Sequence, residues 1–265
     1  MCRLFAYSGK PVWLDSLLIE PEASLVSQSM AAREAKTVVN GDGCGLGWYG
    51  ERGTPGVFRD TRPAWSDANL AALCHQLRSG MFMAHVRSAT SGEVSRANCH
   101  PFAHGRYLFM HNGQIGGYEQ IRRDIDSLIP DDIYASRRGT GDSEAIFLIA
   151  AGHGLDAEPV RAISTALRLC QEKMMAAGVS SALRFSAVLM DGDCLHAFRW
   201  SSDDKPPTLY WRGLDDGIAL SSEPFSFDCA PWCAVLQRIF LVLAMPGIAR
   251  KRGRGCNTSE MVHRS

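Results

Sequence analysis

Strand-like and helix-like segments occur in blocks along this sequence, and that ordering restricts the fold more than any other feature. The last third holds four short strand-like runs at 186–190, 195–200, 208–211 and 218–221, with turn residues between them. Their hairpin-like pairing suggests mostly antiparallel sheets. Two further apolar runs, 81–86 and 107–110, lead into His85-Val86-Arg87 and His111-Asn112-Gly113. A first strand is expected at 2–7, stopped by Ser8-Gly9 and Pro11. The glycine-laden stretch 43–50 reads as a strand that other backbone approaches closely. Helices are expected at 14–19, 24–34, 67–77 (with Ser66 as N-cap), 118–126, 143–151 and 158–177. Strands and helices in blocks mean an α+β fold with mostly antiparallel sheets.

The chain has 265 residues, 46% hydrophobic and 21% charged, enough apolar content for a real core. Its formal net charge is zero, so no electrostatic footprint for nucleic acid stands out. The basic run Arg250-Lys251-Arg252-Gly253-Arg254 reads as a solvated terminal segment. Residues 248–265 lack helical or strand periodicity and are expected to form a disordered tail after a single domain spanning 1–247. The most apolar stretch, 229–245, carries Pro231, Gln237 and Arg238 and is too interrupted to cross a bilayer; it reads as a buried strand pair or helix. The opening Met-Cys-Arg-Leu-Phe-Ala-Tyr has no long apolar h-region, so no signal peptide is expected. The nine cysteines contain no C-x-x-C pair, which points to free thiols in a reducing, cytoplasmic setting.

Four clusters bear on chemistry. Cys2 follows the initiator methionine, and removal of Met1 leaves a thiol and an α-amine on one residue. An α-amine titrates at about 7.7–8.0, so it can serve as a base near neutral pH for the adjacent thiol. Taken alone, a buried strand cysteine is the commoner reading. In His85-Val86-Arg87-Ser88-Ala89-Thr90, a guanidinium suited to bidentate carboxylate binding is followed by hydroxyls. Asn98-Cys99-His100-Pro101-Phe102 precedes His111-Asn112-Gly113-Gln114-Ile115. The Asn-Gly pair offers a side-chain N–H beside an unobstructed backbone N–H for an oxyanion, or else a hairpin turn. Gly141-Asp142-Ser143-Glu144 opens an apolar run, either as a helix cap or as a carboxylate for a substrate ammonium.

In this order, MCRLFAYSG, HVRSAT, NCHPF, HNGQI and GDSE resemble the motif series of the class II glutamine amidotransferases, and SSEP at 221–224 is similar to a late strand of that family. The opening looks closest to stand-alone members, including the γ-glutamyl hydrolases of ergothioneine synthesis and glutathione breakdown. The resemblance implies the N-terminal-nucleophile fold, a four-layer αββα sandwich. It implies Cys2 as nucleophile and Asn112 with Gly113 as oxyanion hole. Arg87, with Thr90 nearby, would hold the substrate α-carboxylate, and Asp142 the α-ammonium. Two departures stand out. Gly141 occupies a position where the family usually has serine, which is expected to loosen the Asp142 turn, and resemblance fades after about Phe227.

The leading expectation is therefore hydrolysis of the γ-amide of glutamine or a γ-glutamyl compound, with a small-molecule substrate, no cofactor and no metal. Any synthase or peptidase partner would be a separate chain. His85, His100 and His111 are expected to be structural, because the α-amine already fills the base role. A non-catalytic or regulatory subunit retaining the fold is the main competitor, although every motif member is present. A metal site at Cys74-His75 or Cys99-His100 is disfavoured, because adjacent residues point apart on a strand or helix.

Overall fold

The structure, a computed structural model, describes residues 2–34, 38–89, 93–225, 231–237, 239–243 and 261–263. Along the chain run β1 (Arg3–Trp13), α1 (Asp15–Leu18), α2 (Leu25–Met30), β2 (Cys44–Trp48), β3 (Gly56–Asp60), α3 (Ala68–Gln76), β4 (Arg78–Val86), β5 (Phe102–His104) and β6 (Tyr107–Gln114). There follow α4 (Tyr118–Asp126), α5 (Asp131–Tyr134), α6 (Asp142–Gly152), α7 (Pro159–Ala176), β7 (Arg184–Met190), β8 (Leu195–Ser201), β9 (Tyr210–Leu214), β10 (Gly217–Ser221), β11 (Cys233–Ala234), β12 (Ile239–Leu243) and β13 (Met261–His263).

The strands form two sheets, ordered β11-β9-β10-β1-β4-β2-β3 and β13-β12-β8-β7-β6-β5, with antiparallel pairing throughout. Period-two alternation splits each strand between two cores. Leu4, Ala6, Met81 and Met83 of the first sheet meet Leu108, Met110, Val188 and Met190 of the second. The intervening Phe5, Tyr7, Phe82 and Ala84 face Leu18, Leu25 and Leu70 of the helices α1 to α3. Phe109, Phe185 and Leu189 face Ile121, Phe147 and Ile163 of α4, α6 and α7 on the far side. The layers are thus helix, sheet, sheet, helix: an α+β sandwich of the expected kind.

Because both faces of β1 and β6 are covered, their sequences are near-continuous apolar runs rather than alternating ones. α6 is buried from Ser143 to Ala150, wedged between β6 and α7, which explains its lack of a polar face.

Several details differ from the sequence reading. β1 continues past Ser8-Gly9 and Pro11 to Trp13, because a register shift between Ser8 and Val12 absorbs the proline. Asp67, not Ser66, caps α3, accepting from the backbone N–H groups of Asn69 at 2.9 Å and Leu70 at 3.2 Å. Ser66 ends a preceding 3-10 turn, where its hydroxyl donates to Pro63 O at 3.2 Å. Within 229–245 the described residues form strands, with β12 beside β8 and β11 an exposed two-residue edge. In the segment expected to be a disordered tail, Met261–His263 pairs with β12, and the rest lies outside the described residues.

Candidate active site

Register pairs Arg3 with Val86, so Cys2 lies at the start of β1 beside the chain that leaves β4 as Arg87-Ser88. Its Sγ accepts from Ser88 N at 3.4 Å and lies 3.5 Å from Ser88 O. Cys2 keeps partial exposure. Burial pushes its thiol up, against the lowering influence of the Ser88 backbone N–H and the charges of Arg87 and Arg3.

Asn112 reaches across from β6 in the second sheet. Its Nδ2 donates to Cys2 O at 3.0 Å, and its Oδ1 lies 3.3 Å from His85 Nε2. An amide nitrogen carries two protons, so the bond to Cys2 O leaves a second N–H on the same atom. Gly113 follows at φ +153°, and a Cβ there would stand 1.9 Å from Arg184 O, so only glycine fits.

Arg87 is buried and donates from Nη1 to Glu93 O at 3.2 Å. Asp142 is the first residue of α6; its Oδ2 accepts from Ile115 N at 2.8 Å and its Oδ1 from Ser143 Oγ at 3.3 Å. The carboxylate therefore ties α6 to the chain just beyond Asn112-Gly113. Cys2, Asn112 and Ser88 are joined directly. Thr90 lies outside the described residues.

Asn98 links the two remaining positions, and sequence reasoning had given it no role. Its Nδ2 donates to Glu93 O at 2.9 Å and to Thr140 Oγ1 at 3.0 Å, and its Oδ1 accepts from Thr140 N at 2.7 Å and Gly141 N at 3.2 Å. One buried amide thus spans the loop that anchors Arg87 and the turn that presents Asp142. Arg137 and Glu144 brace the same turn: Arg137 bonds Glu144 at 2.9 Å and Gly141 O at 2.8 Å, and Glu144 accepts from Arg138 N at 3.1 Å and Gly139 N at 2.7 Å. Gly141 sits at an ordinary extended φ of −80° inside this network, its N–H bound to Asn98 Oδ1 and its carbonyl to Arg137.

The histidines pack inside. His111 is held between Ser143 Oγ at 2.8 Å and Arg184 O at 3.2 Å, and the rings of His85 and His100 stand 4.2 Å apart. Burial lowers all three from the usual imidazole range, His85 to about 3. SSEP is likewise built in: Glu223 pairs with Arg3 at 3.5 Å, and Leu4 N donates to Ser222 Oγ at 3.0 Å.

The two Cys-His pairs engage elsewhere. His75 bonds Asp15 at 2.9 Å while Cys74 is buried, and Cys99 Sγ lies 3.4 Å from Asp60 O. Among the described residues, Asp191, Cys194 and His196 form the one group of three metal-capable side chains. Cys194 is disulfide-bonded, however, so it offers no thiolate. That bond also corrects the expectation of free thiols throughout. Cys2, Cys44, Cys74, Cys99, Cys170 and Cys233 are free.

Residues 1–205 match the family of class-II glutamine amidotransferases. The chain belongs to that family. A glutamine aminotransferase class-II domain protein from Silicibacter pomeroyi has a solved structure similar to this one at TM-score 0.73, with 34% identity over 92% of this chain and 95% of that one. The gamma-glutamyl-hercynylcysteine sulfoxide hydrolase of Mycobacterium tuberculosis is 30% identical over 94% of this chain and 95% of its own length. The Saccharomyces cerevisiae protein named Probable glutamine amidotransferase DUG3 is 36% identical over 56% of this chain, a match that spans 44% of that protein. Membership makes the chain an amide-hydrolysing enzyme in general terms. Among the described residues, no helix is long and apolar enough to cross a membrane.

Proposed function

We propose that this amidotransferase hydrolyses the γ-amide of a γ-glutamyl compound, or of glutamine, through a thioester on Cys2. The observation that carries the reading is the grip of Asn112 Nδ2 on Cys2 O at 3.0 Å, with Gly113 next in the chain and Ser88 N–H at the thiol. A nucleophile and oxyanion donors are thereby held on opposing sheets, neither of which can shift without disturbing a packed core.

While Met1 is attached, the Cys2 nitrogen is an amide and cannot accept a proton. Its removal frees an α-amine that takes the thiol proton as sulfur attacks the γ-carbonyl carbon. The carbonyl oxygen becomes an oxyanion, received by the second N–H of Asn112 and the backbone N–H of Gly113. As the carbonyl re-forms, the C–N bond breaks and the α-ammonium returns its proton to the departing nitrogen. Ammonia or an amine leaves, and a γ-glutamyl thioester remains. Water, deprotonated by the same amine, attacks the thioester through a second oxyanion, releasing the γ-carboxylate and restoring the thiol.

Arg87 would hold the α-carboxylate, with Thr90 as an added donor, and Asp142 the α-ammonium. The Asn98 link supports this division, because it fixes the distance between a buried cation and an acidic helix start. Correspondence with the hercynylcysteine sulfoxide hydrolases over nearly the whole of both chains favours a γ-glutamyl conjugate over free glutamine. A separate synthase chain is a partner under the glutamine arm of the proposal, and a separate peptidase chain under the γ-glutamyl peptide arm. Six free thiols among the described residues favour a cytoplasmic setting, against which the Cys194 disulfide is the contrary feature.

The test is a substrate panel of glutamine against γ-glutamyl thioether and γ-glutamyl peptide conjugates, run on wild type and Cys2→Ala. The proposal expects glutamate release from at least one γ-glutamyl compound and none from the variant. Turnover by Cys2→Ala near the wild-type rate removes Cys2 from the chemistry.

A further inference from the structure

The Asn112 side chain is held from two sides, and only one side belongs to the nucleophile. A primary amide turned by 180° exchanges nitrogen for oxygen with almost no change of shape. In the turned form, Oδ1 would oppose the carbonyl oxygen of Cys2 and present an acceptor where an oxyanion must be received. In the observed form, Nδ2 donates to Cys2 O at 3.0 Å and Oδ1 faces His85 Nε2 at 3.3 Å. An oxygen acceptor at that position requires the proton on Nε2, which defines the neutral Nε2–H tautomer of His85.

The ring that supplies this proton is itself fixed. His85 is 1% exposed on β4, paired across the sheet with Leu4 of β1 and Gly45 of β2. The His100 ring lies 4.2 Å from it, backed by Phe102 at 4.6 Å. Gly45 leaves room for this stack, since a Cβ there would stand 2.0 Å from His100 O. Burial first, and then the charges of Arg87 and His111, disfavour a second proton on the His85 ring, against the raising influence of its hydrogen bonds to Asn112 and to the His111 backbone.

We propose that His85 is a positioning residue for the amidohydrolase reaction: its Nε2–H locks the Asn112 amide in the orientation that offers nitrogen, not oxygen, to the Cys2 side. The proposal rests on the Cys2 reading of function given above. His85 acts through Asn112 and needs no contact with substrate. The lock works by tautomer and hydrogen-bond direction rather than by charge.

The experiment compares steady-state kinetics on one γ-glutamyl substrate for His85→Leu, His85→Gln, Asn112→Ala, the double variant His85→Leu/Asn112→Ala, and Cys2→Ala. Leucine has no donor, so kcat should fall about 10-fold or more, a share of what loss of an oxyanion donor costs, with KM little changed. Glutamine can donate from its own amide and should recover most of that loss. In the Asn112→Ala background, His85→Leu should change kcat no further. Equal kcat losses with and without Asn112, or wild-type kcat in His85→Leu, overturn the proposal. The ¹⁵N imidazole spectrum of wild type gives an arm that needs no variant to fold: an Nε2–H signature supports the lock, and an Nδ1–H signature refutes it. An inactive Cys2→Ala alongside an unimpaired His85→Leu sinks this inference alone. An active Cys2→Ala sinks the functional reading, and this inference with it.

Discussion

Replacing Asn98 tests whether the two ends of the proposed substrate clamp, Arg87 and Asp142, are mechanically coupled. Alanine strands three groups that the amide now satisfies, Thr140 N, Gly141 N and Thr140 Oγ1, whereas Glu93 O keeps Arg87 Nη1. At about 1 kcal/mol each, the low end for partly buried groups, the loss is about 3 kcal/mol. That corresponds to a fall in Tm of about 6–12 °C in a domain of this size. Aspartate separates the two arms, because its carboxylate still accepts from Thr140 N and Gly141 N but cannot donate to Glu93 O. Stability should then fall by only about 1 kcal/mol. The new negative charge meets the carbonyl that Arg87 Nη1 uses at 3.2 Å and competes for the guanidinium. KM should rise about tenfold, which is about 1.4 kcal/mol of binding, with a smaller change in kcat. The assay is glutamate release over a range of substrate concentrations, paired with thermal unfolding. An Asn98→Asp variant of unchanged KM would refute the coupling, whatever happened to its stability.

Gly113→Ala should abolish both activity and the native circular dichroism signal, because its Cβ would meet Arg184 O at 1.9 Å at a φ of +153°. Gly141→Ser should behave oppositely. The backbone there is an ordinary extended one, and α6 has no side-chain cap, so a gain of about 0.5 kcal/mol in urea unfolding is expected, with KM unaltered. Acid should destabilise the fold. Burial lowers the pKa values of His85, His100 and His111 below the unfolded value of about 6.5, so the unfolded chain binds more protons below that pH. Their contribution is therefore complete above about pH 6.5 and is lost as pH falls, by about 1.4 kcal/mol per pH unit per histidine. Urea midpoints that stay level on acidification would contradict this.

What the sequence reveals and what it hides divide along physical lines. Long periodic segments are plain in it: α4 spans the expected Tyr118–Asp126, and the four late runs become β7 to β10. The short elements β3, β5 and α5 carry too few residues for a period to show. β1 overruns its expected stop because a bulge lets a proline sit in a strand, which turn signals alone do not disclose. Cys2, Arg87, Asn112 and Asp142 stand out as chemistry-bearing types in motifs. Asn98 opens the NCHPF motif, but its role does not show there, since its partners Thr140 and Gly141 lie 42 and 43 residues away. The His85–Asn112 bond is hidden for the same reason, joining two sheets across 27 positions of chain. A pairing for Cys194 could not be read from nine scattered cysteines.

The central claim, that a processed Cys2 carries the reaction, is tested most directly by intact-mass measurement of active protein treated with a glutamine-analogue electrophile. The account predicts a chain lacking Met1 that bears one adduct, mapped to Cys2, with activity lost in proportion to labelling. Fully active protein that retains Met1, or an inactivating adduct on another thiol such as the exposed Cys233, would contradict it.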